Sequence, residues 1–142
     1  MQDRPSAIEL LEAAADFVDR EIVLATEGRV QFQSRVVANV MRIVAREIQL
    51  EDPFVRAEVR ALAALLGENE PHVHGLDDLR KATCKLNERL SAKIQSGDAD
   101  SGPWRGEVLK LVRQAVEDKL RIANPRYVEA DISMRKKAGG GA

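Results

Sequence analysis

A single cysteine, Cys84, stands among the 142 residues, so no disulfide can close within the chain and a reducing compartment suits it. Aromatic residues make up 4%, with one tryptophan and one tyrosine, too few for a platform on which bases stack. Neither sign of charge is in excess: 22 basic against 23 acidic side chains leave a net charge of −1. General nucleic-acid binding, which needs a basic surplus, is disfavoured by that balance. No apolar run approaches the ~20 residues that span a bilayer. Asp3, Arg4, Glu9, Glu12 and Asp16 interrupt the stretch where a signal peptide carries its apolar core. Strand-like alternation and internal repeats are missing too. These absences predict a cytoplasmic protein with no nucleic-acid and no membrane partner.

What the chain does have is helix. Hydrophobic content of 44% and charged content of 32% suit one domain large enough for its own core. The first helix opens at Ser6, with Glu9 placed to complete a capping box, and ends before Gly28. A second spans about Val30 to Leu50. Asp52-Pro53 reads as a cap followed by proline at the first helical position, opening a third helix that Gly67 stops after Leu66. After the loop Gly67 to Gly75, a fourth helix runs from about Leu76 to Ser96, with Leu79, Leu86, Leu90 and Ile94 on its seam. A fifth begins near Pro103, buries Trp104, Val108, Val112 and Val116, and is ended by Asn124-Pro125. The expected fold is all-α, a five-helix, bundle-like single domain over residues 1–128, with a mostly disordered tail over 129–142.

The second helix carries the strongest pattern. At ~100° per residue, Val36, Val37, Val40, Met41, Ile43, Val44 and Ile48 fall on one broad apolar face, expected to be core. Arg35, Asn39, Arg42 and Arg46 form a polar stripe, able to hold phosphate or carboxylate groups or a protein partner by forked hydrogen bonds. Pairing with the acidic row Glu9, Glu12, Asp16 and Asp19 of the first helix is the plain alternative. Glu47 projects from the middle of the apolar face, where a carboxylate is costly unless partnered. Lys119 lies on the apolar arc of the fifth helix, so the two suggest a structural polar pair. Arg126, Tyr127 or simple exposure at a frayed end are the other readings of Glu47.

No catalytic constellation emerges. His72 and His74, with Glu68 and Glu70 nearby, share a loop, and a flexible loop is a poor fixed ligand set, so no metal is expected. Cys84 has no histidine in its segment and reads as a small core residue. The turn Gly97 to Gly102 lacks the lysine of a phosphate loop. No cofactor is expected, and a binding or accessory role is favoured over an enzyme.

Three phrases carry a family resemblance: Pro5-Ser6 opening the first helix; Gly28-Arg29 with Phe32, Arg35, Ala38, Asn39, Ile43, Arg46 and Glu47; and Lys119-Leu120 followed by Ala123-Asn124-Pro125-Arg126-Tyr127. From about residue 5 to 128 the chain resembles an uncharacterised bacterial family of small all-helical proteins. Its members are encoded beside, or fused to, kinases of the aminoglycoside-phosphotransferase type. One branch resembles the small accessory subunit of the 4-hydroxyacyl-CoA kinase of levulinate-type catabolism. The resemblance implies a non-catalytic partner of such a kinase. From their own chemistry, Arg35, Asn39, Arg42 and Arg46 and the corner Asn124, Arg126 and Tyr127 offer charged and aromatic contacts suited to an interface. A homo-oligomeric helical protein holding an apolar or acyl ligand between helices is the reading from another class.

Overall fold

The computed structural model describes residues 4–139, with the backbone alone for Ile132 and for residues 135–139. The fold is all-α, as expected. Helix α1 comprises the α-helix Ala7–Phe17, a π-helical stretch Val18–Ile22 and a final turn Val23–Ala25. Helix α2 is Gly28–Leu66, α3 is Leu76–Gln95, α4 is Pro103–Ala123 and α5 is Pro125–Gly139. No described helix is long and apolar enough to cross a membrane. Contacts gather into two compact units, Met1–Glu51 and Asp52–Ala142, each with its own interior.

The capping box at the start of α1 is present, with Ser6 Oγ accepting from the Glu9 amide and Glu9 Oε2 accepting from the Ser6 amide. The predicted glycine stop at Gly67 is also in place. Gly67 adopts φ 70°, its amide bonds Ala64, and the next amide bonds Ala63. Gly97 repeats the arrangement at φ 91°, with amides 97 and 98 reaching Ile94 and Lys93. These paired bonds satisfy carbonyls that a helix end leaves open, and the left-handed residue they need is cheapest as glycine.

The expected break at Asp52-Pro53 does not occur. Helix α2 runs through Pro53, so the predicted second and third helices are one element of 39 residues. Proline within a helix forfeits one backbone hydrogen bond and crowds the preceding turn, at about 3 kcal/mol. A true break would instead leave up to four amides and four carbonyls to be satisfied elsewhere. Asp52 does not cap the backbone; both its oxygens accept from Arg56 Nε, at 2.9 and 2.7 Å. The fifth helix of the fold lies further along. Asn124-Pro125 ends α4 as predicted, yet Pro125 then opens α5, the position where proline loses no helical bond. Helix α5 occupies residues that the sequence assigned to a tail as far as Gly139, and residues 140–142 lie outside those described.

In the first unit, α1 packs on α2 through small residues. Ala15, Val23, Ala38 and Ala45 are its buried positions, Ala15 and Ala38 fully so. Gln31 ties the ends together, its Nε2 donating to the carbonyls of Val23 and Thr26 at 3.0 and 2.9 Å. This inverts the sequence expectation for α2. The broad apolar face was expected inside, but Val36, Val37, Val40, Val44 and Ile48 are exposed. The stripe that meets α1 is the narrow alanine one, since only a small residue lets two helices approach closely.

The second unit has an ordinary core of Val59, Leu62, Leu79, Leu86, Leu90 and Val108, with Trp104 packed against it and donating from Nε1 to the Leu65 carbonyl at 3.3 Å. Leu79, Leu86, Leu90 and Val108 are buried as expected, whereas Ile94, Val112 and Val116 are exposed. Leu62→Ala should lower stability by about 2–5 kcal/mol through the cavity left behind. Leu109→Ala, on an exposed position, should stay within about 0.5 kcal/mol. Urea unfolding midpoints compare the two directly.

Candidate functional site

The four residues of the α2 polar stripe separate in the structure. Arg42 is drawn onto α1: its Nη1 donates to Asp19 Oδ2 at 2.6 Å and its Nη2 to Asp16 Oδ1 at 3.0 Å. The bond to Asp19, then the bond to Asp16, raises the pKa of the guanidinium against the opposing effect of burial. The π-helical stretch of α1 holds Asp19 and begins two residues after Asp16, and Arg20 also pairs with Asp16 at 3.4 Å. Arg42 is therefore a clamp between two helices of the first unit. Arg46 is half-buried and engaged within the chain. Arg35 and Asn39 are exposed.

The Asn124–Tyr127 corner is the junction of α4 and α5. The Asn124 amide bonds Leu120, closing α4, and the Asn124 carbonyl accepts from the Tyr127 amide at 3.1 Å, opening α5. Asn124, Arg126 and Tyr127 are all exposed, Tyr127 to 61%, while the neighbouring Val128 is buried and anchors the corner. An aromatic ring and a guanidinium at consecutive exposed positions are suited to protein contact.

Glu47 is half-buried in the first unit and interacts within the chain. Lys119 is exposed in the second unit, on the wall of a shallow groove of about 670 Å³. That groove is also lined by Glu58, Arg80, Asn87 and Cys84, and Asn87 Nδ2 donates to Glu58 Oε1 at 3.1 Å. Cys84 is exposed there rather than buried, a correction to its expected place in the core. Its position on the helix edge, between the buried Leu79 and Leu86, was visible in the spacing but turns outward.

The loop with His72 and His74 is held by its carboxylates. Glu68 pairs with Arg89 of α3, and Glu70 pairs with Arg60 of α2 at 3.4 Å. Both histidines are exposed, and the described residues contain no group of three or more metal-ligating side chains. Gln31 is the structural polar residue that the sequence did not single out. Its signal was its distance from Gly28, one turn into α2, which places it beneath the end of α1.

The family model described as a domain of unknown function, DUF6285, matches residues 24–127, from the end of α1 to Tyr127, and the chain belongs to that family. No curated protein and no solved structure matches it.

Arg42→Gln should destabilise the protein by about 1 kcal/mol, with a smaller loss at high salt, because the clamp is a charge-assisted but partly exposed pair. Arg35→Gln should stay within about 0.5 kcal/mol. Thermal unfolding at two ionic strengths distinguishes the clamp from the solvated face.

Proposed function

We propose that the protein is a non-catalytic accessory subunit of a phosphotransferase-type small-molecule kinase acting on a hydroxyacyl-CoA or similar metabolite. The observation that carries the contact role is the exposed corner of Asn124, Arg126 and Tyr127, anchored from below by Val128. Tyrosine and arginine are the residue types that concentrate binding energy when an interface closes over them. The kinase as partner is supported by the resemblance in the helix α2 phrase and the Asn-Pro-Arg-Tyr ending. Arg35 and Asn39 offer a further cationic and amide surface, suited to a protein partner or to the phosphates of coenzyme A. Arg42 leaves this set, since its guanidinium is committed to Asp16 and Asp19.

Co-expression with the neighbouring kinase tests the reading. Tyr127→Ala should weaken co-purification by roughly 30-fold or more, the scale of a hot-spot truncation of about 2 kcal/mol. Arg35→Ala should weaken it less. A kinase that neither co-purifies with the wild-type chain nor changes activity on its addition contradicts the proposal.

A further inference from the structure

The first half of α2 leaves a long apolar face in solvent. Phe32 is 62% exposed, Val36 41%, Val40 50% and Val44 37%. At ~100° per residue these positions lie opposite the Ala38/Ala45 stripe that α1 occupies, so α1 does not cover them. Between Gly28 and Leu50, two charged residues project within about 40° of the midline of this face. They are Arg29 at its start and Glu47 near its end. Eighteen residues separate them, which is five full helical turns, so they point the same way about 27 Å apart.

The geometry points to a second copy of this chain as the occupant of the face, with the two α2 helices antiparallel and related by a two-fold axis level with Ala38. An axis there sets Val36 opposite Val40 of the second copy and Phe32 opposite Val44 of the second copy. It also sets Arg29 opposite Glu47 of the second copy. Each contact occurs twice, as a two-fold interface requires. The centre of the seam is then valine on valine, and each end carries an opposite-charge pair. A parallel arrangement would instead set Arg29 against Arg29 and Glu47 against Glu47, which repels. The single charge pair on the face thus selects both the occupant and its direction.

The inference is independent of the kinase reading and stands on the chain alone. Glu47 already interacts within its own chain; the second copy's Arg29 adds a cation to that environment. The unequal spacing 32, 36, 40, 43, 47 alternates four and three residues after Val36, the repeat by which two helices keep a seam in register.

Light scattering on the full chain after size exclusion tests this, over a dilution series at low salt. The wild type should give twice the 15.7 kDa chain mass. Arg29→Glu and Glu47→Arg singly should each raise the dissociation constant at least ~10-fold, and the double exchange Arg29→Glu with Glu47→Arg should restore it to within ~3-fold. Val40→Glu, at an exposed position, should give a monomer with an unchanged far-ultraviolet helix spectrum. A wild-type monomer at ~100 μM overturns the inference, as does a dimer that either single exchange leaves intact. Failure of the double exchange to restore the dimer overturns the antiparallel register. Because no kinase is present, these outcomes do not bear on the accessory role.

Discussion

A helix that is apolar over more than half its circumference must be covered from more than one side, and everything distinctive about this protein follows from that constraint on α2. Its own chain supplies one neighbour in the first unit, α1, which takes the alanine stripe and the adjoining Arg42 clamp. The valine face remains. Burying such a face returns about 25 cal/mol per Å², so leaving it in water forfeits a large part of what the helix could contribute. Exposed apolar surface of this extent is the kind that contact with another molecule buries.

The second unit meets the same physics by a different route. There the later part of α2 packs with α3 and α4 around Leu62 and Val59, and the Trp104 indole finds a backbone carbonyl, so bulk and polarity are both satisfied within the chain. Its loops are closed by ion pairs from Glu68 and Glu70 and by two glycine-terminated helix ends. What it turns outward is selective: Tyr127 and Arg126 on a corner whose neighbour, Val128, is inside. One chain thus carries two kinds of outward surface, a long apolar seam and a compact aromatic–cationic corner, with different demands on a partner.

Much of the fold was legible from local chemistry. Ser6 with Glu9, Gly67, Gly97 and Pro103 each act through their nearest few residues, and each is where the spacing put it. Asp52-Pro53 failed as punctuation because a break and a continued helix differ by backbone bonds further along the chain, which the dipeptide does not report. The inversion of α2 has a similar cause. Periodicity identifies which residues share a face, and the valines do share one, but it does not say whether the chain itself covers that face. The arginine stripe divides for the same reason: Arg35 and Arg42 are alike on a helical wheel, and only the place of Asp16 and Asp19 on α1 makes one a clamp and leaves the other in solvent.

Methyl resonances in the presence of a soluble paramagnetic agent test the central claim, that the valine face of α2 is covered by another molecule and not by its own chain. Ala38 and Leu62 should be shielded at every protein concentration. Val36 and Val40 should broaden strongly in dilute solution and become shielded as concentration rises. Shielding of Val36 and Val40 equal to that of Ala38 at the lowest concentration would mean that the chain covers its own face, and would contradict the account.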